Sequence, residues 1–311
     1  MSSSPRFRTA VLAATAALSL AALTGCGEDE PSRAQDPASP ETSATPSAST
    51  SPSDPASSSP SSPAPSASES GEQVTVPVYF VGDTPQGPRL FREFRKVAAA
   101  DPLAAAAALV TSGAALDPDY RTAYPTGSFA SIEFTGEAFR VTLPDDSWTT
   151  PAGLDSSEEG PLAVQQLVYT LQGVQQKRVP VQVFVGDTPA ALFGVDTAGS
   201  GVTAGDQLDT LALVSITAPE EGATVSGSFT ASGVANSPEA NVPWEIRQGK
   251  KVVKKGFATA DGWMDKLYPW QTQVDVAGLA PGEYTFVART DDQSGGEGFG
   301  PTEDTRTITV K

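Results

Sequence analysis

The stretch PLAVQQLVYTLQ, residues 161–172, decides the fold class of the first half of this chain. Val164, Leu167, Val168 and Leu171 recur at positions i, i+3, i+4 and i+7, the spacing that puts apolar side chains on one face of an α-helix. Gly173 follows directly and is the expected C-terminal cap. The stretch therefore predicts an amphipathic helix whose apolar face needs another layer of structure to cover it.

Neighbouring segments supply that layer. Five are rich in β-branched and aromatic residues and are predicted as strands: residues 74–81, 90–97, 128–134, 138–143 and 179–185, with a helix as the alternative for 90–97. A further helix over 103–110 is predicted because Asp101 and Pro102 offer an N-cap and a first-position proline, and Gly113 can end it. VGDTP occurs twice, at 81–85 and 185–189, and predicts two similar hairpin turns. Residues 73–197 are thus an expected α+β domain, with a mixed sheet and two helices.

The sequence pattern changes after a Gly-rich segment, and residues 198–210 are assigned as a linker. From there, seven short strands separated by turns are predicted, with no helix: 211–218, 228–234, 244–248, 252–257, 268–276, 283–289 and 306–310. This pattern is typical of an antiparallel β-sandwich of the immunoglobulin-like kind. We therefore expect an all-β domain over residues 211–311.

The N-terminal region carries a different signal. Arg6 and Arg8 precede a short apolar run, and Leu23, Thr24 and Gly25 lead to Cys26, the one cysteine of the chain. The arrangement resembles a bacterial lipoprotein signal with its lipobox, which implies a signal peptide over 1–25 and lipidation of Cys26. Residues 26–72 are rich in Ser and Pro and are expected to form a disordered tether. The expected location is the extracytoplasmic face of the cell membrane, with the lipid on Cys26 as the anchor.

Composition excludes several kinds of chemistry. The chain has no histidine, which removes the commonest general base and the imidazole metal ligand. Lipidation of Cys26 would leave no thiol for a nucleophile or a zinc site. The net charge of −17 argues against nucleic acid as a partner. We expect no catalytic residue, no metal site and no cofactor.

Residues 74–197 resemble the GerMN domain, named from sporulation and spore germination proteins. The resemblance rests on Val78-Tyr79-Phe80, on the helix ending at Ser112-Gly113, on Tyr124-Pro125-Thr126-Gly127 and on residues 163–171. The chain departs from the family at Gly113-Ala114, where Gly-Pro is usual. Residues 212–311 resemble Gmad2, an immunoglobulin-like domain found beside GerMN, through Ile216-Thr217-Ala218-Pro219, Gly222-Ala223-Thr224-Val225, Gly233-Val234-Ala235 and Gly282-Glu283-Tyr284. The resemblance implies an envelope protein for which no catalytic residues are known.

Two groups of residues form a candidate binding surface. Trp263, Tyr268 and Trp270 lie close in sequence, where aromatic rings either stack on sugars, anchor a protein partner or fill the sandwich core. Lys250, Lys251, Lys254 and Lys255 bracket a predicted turn at Gly249. Such lysines either protect a sheet edge in solvent or dock an acidic partner.

The leading hypothesis is a lipid-anchored, non-enzymatic module that docks on an envelope protein, for assembly or sensing. The alternative is a cell-wall module that binds peptidoglycan through the aromatic cluster. A carboxylate-based hydrolase would need one of the acid pairs, which are Asp145-Asp146, Glu158-Glu159 and Asp291-Asp292. A solute-binding lipoprotein is disfavoured, because half of the folded chain is predicted to be all-β.

Overall fold

The computed structural model of this protein describes residues 71–154, 159–292, 297–298 and 300–311. The predicted signal peptide, lipobox and tether therefore lie outside the described residues, as does Glu158. Within the described ranges, no helix combines the length and the apolar character needed to span a bilayer.

The first domain contains two small sheets and two main helices. Its elements are β1 (Gln73–Thr84), β2 (Gly87–Ala98), α1 (Pro102–Ser112), β3 (Tyr120–Arg121), β4 (Ser131–Phe134), β5 (Phe139–Leu143), α2 (Glu159–Gln175), β6 (Val181–Val185), β7 (Thr188–Pro189) and α3 (Gln207–Thr210). One sheet has the antiparallel order β2-β1-β3, and the other has the order β4-β5-β6-β7. In the second sheet β5 and β6 are parallel, because α2 carries the chain back between them. The predicted α+β class with a mixed sheet is confirmed.

Helix α1 has the ends that the sequence predicts. The Asp101 side chain accepts a hydrogen bond from the Ala104 N–H, and Pro102 occupies the first turn. Gly113 has φ +64, the left-handed conformation in which glycine ends a helix without steric cost. Residues 90–97 form the strand β2 rather than the alternative helix.

Helix α2 is longer and more buried than its apolar spacing predicts. Gln166 and Thr170 are buried because they satisfy the free edge of β1: Thr170 Oγ1 accepts from the Tyr79 N–H at 3.1 Å, and Gln166 Nε2 donates to the Tyr79 carbonyl at 2.9 Å. Unpaired backbone groups on a buried strand edge are costly, so these two polar side chains stabilise the contact of α2 with β1.

The predicted cap at Gly173 is wrong, since the helix continues beyond it. Gly173 lies against β1, where an added Cβ would come within 2.6 Å of Pro77 Cγ. The helix ends instead with Gln176 at φ +52, and the Lys177 N–H bonds the Gln172 carbonyl at 3.2 Å. This is the bonding pattern that glycine usually closes, made here with glutamine.

The two VGDTP copies have different structures. In the first copy the strand β1 continues to Thr84, and the turn falls on the next two residues. In the second copy the turn falls on Gly186-Asp187, where Gly186 has φ +58. Both copies lie at hairpins, but the prediction of two similar turns is wrong.

The second domain is a sandwich of two sheets. Its strands are β8 (Val214–Ala218), β9 (Ala223–Val225), β10 (Ser228–Ala235), β11 (Asn241–Gln248), β12 (Lys251–Thr259), β13 (Tyr268–Asp275), β14 (Gly282–Arg289) and β15 (Glu303–Val310). The sheets have the orders β13-β10-β8 and β12-β11-β14-β15-β9. All seven predicted strands are present, and β9 is an addition that pairs in parallel with β15. The predicted all-β, immunoglobulin-like class is confirmed.

Candidate functional site

The three aromatic residues of the predicted binding surface occupy different environments. Trp270 is 3% exposed and lies in the sandwich core, where an added Cβ on Gly233 would come within 2.9 Å of its ring. Tyr268 is half-buried, and its hydroxyl donates to Asp265 Oδ1 at 2.7 Å. Trp263 is 42% exposed in the loop after β12. The structure therefore does not assemble the three rings into one exposed platform.

The four predicted lysines lie on or beside β12, an outer strand of the five-stranded sheet. Gly249 forms the turn before it with φ +57. Lys254 Nζ pairs with Asp275 at 3.4 Å and donates to the Ala277 carbonyl at 3.0 Å. Lys250, Lys251 and Lys255 are exposed, and none of them forms an ion pair with a residue that the structure describes.

The strand β12 also exposes apolar side chains. Phe257 is 67% exposed, and Val252 is exposed as well. The backbone of β12 pairs with β11 on one side, and beyond its end Ala260 makes a single bridge with Trp270. We call Lys250, Lys251, Val252, Lys255 and Phe257 the β12 surface. It combines positive charge with an exposed aromatic ring.

A buried ion cluster joins the two domains, and we call it the Arg306 cluster. Arg306 Nη1 donates to Asp304 Oδ1 at 3.0 Å and also to Asp117 Oδ2, while its Nη2 donates to the Ile216 carbonyl at 3.0 Å. Tyr120 donates its hydroxyl to Asp304 Oδ1 at 2.6 Å, and Asp304 Oδ2 accepts from the Ile216 N–H at 2.5 Å. Asp117 and Tyr120 come from the first domain, and the other three residues come from the second. All of the charged side chains are buried.

The charges of the Arg306 cluster do not balance when both carboxyl groups are ionised, because two carboxylates share one guanidinium. Burial raises the pKa of Asp117 to about 7, although the Arg306 charge opposes this shift. Burial likewise raises the pKa of Asp304. Burial disfavours the charge of Arg306, but Asp304, Tyr120 and Asp117 outweigh it and raise the Arg306 pKa. The cluster therefore takes up a proton near neutral pH, and the carboxyl groups of Asp117 and Asp304 share it.

This proton makes stability depend on pH. A folded carboxyl with a raised pKa binds more protons than the unfolded one, so its contribution is fully present below the unfolded pKa and is lost as pH rises through about 7. We expect the free energy of unfolding to fall between pH 5 and pH 8, measured by urea titration. Asp117→Asn should flatten this decline, because asparagine carries no ionisable proton. Asp187→Asn, at an exposed turn, should leave the decline unchanged, and an equal effect of both substitutions would contradict this assignment.

Further contacts hold the domains in one relative orientation. Thr302 Oγ1 donates to Gln86 Oε1 at 3.1 Å, and Thr305 Oγ1 donates to Asp119 Oδ2 at 2.8 Å. The Ala212 N–H donates to the Leu90 carbonyl at 2.9 Å, which continues the contact into the backbone. The described residues of both domains therefore belong to one compact unit.

A second charged cluster lies on the opposite face of the five-stranded sheet, and we call it the Arg247 ring. Arg247 pairs with Glu245 at 2.8 Å and with Glu303 at 3.2 Å, and Arg289 pairs with the same two acids at 3.3 and 3.8 Å. Glu245 faces Val287 in the strand register, and Val287 is fully buried. The ring therefore covers apolar surface, with Glu245 buried and the other three charged side chains partly exposed to solvent.

The described residues contain no grouping of three or more Asp, Glu, His or Cys side chains able to hold a metal ion. Of the acid pairs, Asp145 and Asp146 are exposed in a loop, and Glu159 pairs with Arg121 at 3.1 Å. Asp291 accepts from Asn241 Nδ2 at 3.1 Å. These acids belong to separate parts of the fold.

Comparison with solved structures finds weak likenesses. The fibronectin(III)-like modules of Clostridium thermocellum CbhA are 19% identical, with 32% of this chain and 94% of that chain covered and a TM-score of 0.22. CopC from Methylosinus trichosporium OB3b is 20% identical, with 32% and 93% covered and a TM-score of 0.22. The endo-beta-1,4-mannanase from Thermotoga petrophila is 11% identical, with 51% and 36% covered and a TM-score of 0.25. Scores this low carry no argument about function.

Family comparison is more specific. No curated protein matches the chain. Residues 77–190 match the family model Germane, described as "Sporulation and spore germination". Residues 213–297 match the family model Gmad2, described as "Immunoglobulin-like domain of bacterial spore germination". The domain composition of this chain is therefore a Germane-like α+β domain followed by a Gmad2-like, immunoglobulin-like domain.

Proposed function

We propose that this protein is a lipid-anchored, non-catalytic docking module of the cell envelope, acting in a process related to sporulation or spore germination. The lipobox ending at Cys26 supports an anchor at the extracytoplasmic face of the membrane, and the Ser/Pro-rich segment after it supports a tether. The domain composition supports the process, because both matching families are described from sporulation and spore germination.

The observation that carries the docking role is the β12 surface. Edge strands are commonly protected by lysine, so lysines alone would indicate only a solvated edge. An exposed Phe257 on the same strand adds nothing to such protection. Protein interfaces are enriched in aromatic residues, and complementary charge around them guides the encounter of partners. The partner that fits this surface is an envelope protein with an acidic patch around an apolar depression.

The separation of the aromatic residues does not support the peptidoglycan alternative. Stacking on sugars needs ring faces open to solvent, and Trp270 is in the core. Of the other two rings, Trp263 is exposed and Tyr268 is half-buried. We therefore favour docking on a protein.

Crosslinking in living cells tests the docking role. A photoreactive phenylalanine analogue is placed at Phe257 or, as the control, at Leu116, which is also exposed but belongs to the first domain. We expect one discrete protein adduct from position 257 and none from 116. Charge reversal at Lys250, Lys251 and Lys255 should reduce the adduct about tenfold, because it removes the electrostatic complementarity.

Cys26→Ala serves as the second arm of that experiment. Without its lipid the protein should leave the membrane fraction, and the adduct from position 257 should disappear with it. Equal adducts from 257 and 116, or an adduct that survives charge reversal, would contradict docking through the β12 surface. Retention of the Cys26→Ala protein in the membrane would contradict the anchor.

A further inference from the structure

A cleft of about 320 Å³ lies between the two domains, where β1, β2 and α2 meet the second domain. Tyr79 and Tyr169 line it from the first domain, with ring centroids 5.3 Å apart and planes inclined at 48°. Val234 and Leu267 line it from the second domain. A volume of this order is typical of small-molecule sites, and domain junctions are a usual place for them.

The charge of the cleft is opposite to that of the whole chain. Arg92, Lys177 and Arg178 line it, and no aspartate or glutamate does. The chain has 37 acidic and 20 basic residues, so a cleft of average composition would contain more acidic than basic side chains. None of the three forms an ion pair with any residue in the described ranges.

Arg92, which lines the cleft, has one hydrogen-bond donor without a partner. Arg92 Nη2 donates to Thr217 Oγ1 at 3.3 Å, but the buried Nε–H of Arg92 has no acceptor among the described residues. A guanidinium bonds more strongly to an anion than to a neutral acceptor. Because Arg92 lines the cleft and no carboxylate does, its position favours an anionic ligand.

The other two basic residues reach the cleft through the end of α2. The left-handed backbone of Gln176 turns the chain there, and Lys177 and Arg178 follow at once. Arg92 and Arg178 both act on the Tyr79 hydroxyl, since each lowers its pKa against the larger effect of burial, which raises it. Two positive charges from separate elements therefore act on one tyrosine that lines the cleft.

We propose that this cleft binds a small organic anion. A carboxylate or phosphate group of the ligand bonds to Arg92, Lys177 and Arg178, and its body packs against Tyr79 and Tyr169. This site is distinct from the β12 surface and does not depend on the docking role. Because both domains line the cleft, ligand affinity depends on the relative orientation that the Arg306 cluster maintains.

The test is a titration of the full chain, solubilised in detergent, with inorganic phosphate and separately with benzoate. The readout is the side-chain Nε–H NMR signal of Arg92. We expect a saturable shift of this signal with at least one of the two probes. A shift with phosphate alone identifies a phosphate-bearing ligand, and a shift with benzoate alone identifies a carboxylate on an apolar body.

Two double variants make the test specific. Lys177→Gln with Arg178→Gln should weaken binding at least about tenfold, because two charges near the anion are removed. Lys96→Gln with Lys311→Gln makes the same change of net charge on exposed residues that do not line the cleft and should leave affinity unchanged. Equal weakening in both variants, or no saturable shift with either probe, would overturn the proposal.

Discussion

Replacing Arg306 by methionine is expected to destabilise the protein by about 3–5 kcal/mol, the usual cost of removing one partner from a buried ion pair. The substitution leaves the carboxyl groups of Asp117 and Asp304 buried without a cation. It also removes the donor to the Ile216 carbonyl. The free energy of unfolding, from urea titration at pH 8, measures the loss.

Arg247→Met is the matched control, because Arg247 also pairs with two acids on the same sheet. Arg247 and Glu303 are partly exposed, and Arg289 still pairs with buried Glu245, so we expect a loss of about 1 kcal/mol or less. The loss from Arg306→Met should also shrink at pH 5.5, since protonated carboxyl groups do not need a cation. Equal losses for the two variants, or a loss from Arg306→Met that does not change with pH, would contradict a buried charge imbalance.

The elements that the sequence predicts well are those with local causes. Helix α1 follows from Asp101, Pro102 and Gly113, which act within a few residues of one another. The seven strands of the sandwich follow from runs of β-branched and aromatic residues between turns. The strand β9 escaped prediction because its three residues gain their structure from parallel pairing with β15, which is far away in the chain. Gly173 looked like a cap because its contact with Pro77 cannot be seen in a local pattern.

The sequence of β15 contains a pattern that indicates the buried charges of the Arg306 cluster, although the strand prediction did not use it. In β15, Asp304 and Arg306 alternate in phase with Ile308 and Val310, and all four side chains are buried. Charged residues in phase with core residues indicate a buried pair, because successive side chains of a strand point to opposite faces. The identity of the partners, Asp117 and Tyr120, depends on how the two domains pack and could not be predicted.

No comparable sequence pattern predicts the cleft. Arg92 is in a strand of the first domain, and Lys177 and Arg178 follow a helix more than eighty residues later. Their convergence depends on the packing of α2 against β1, which rests on Gln166 and Thr170. The sequence also does not predict that Phe257 is exposed, because an aromatic residue in a predicted strand is ordinarily assigned to the core.

The alternation rule also separates the two tryptophans that the sequence grouped together. In β13, Trp270 is in phase with buried Val274, whereas Trp263 lies outside any strand. Trp270→Ala is therefore expected to cost about 3–5 kcal/mol, because it leaves a cavity in the core beside Gly233. Trp263→Ala, at a largely exposed side chain, should cost less than about 1 kcal/mol.

Urea titration of the two variants measures this difference, and cosedimentation with purified peptidoglycan gives it a functional meaning. If the wild-type protein does not cosediment and Trp270→Ala loses only stability, the aromatic cluster is a structural feature. If Trp263→Ala abolishes cosedimentation while remaining as stable as the wild type, a single exposed tryptophan binds the wall, which would favour the peptidoglycan alternative over docking on a protein. Comparable stability losses in both variants would contradict the core position of Trp270, because the same substitution can differ in cost only through what surrounds each ring.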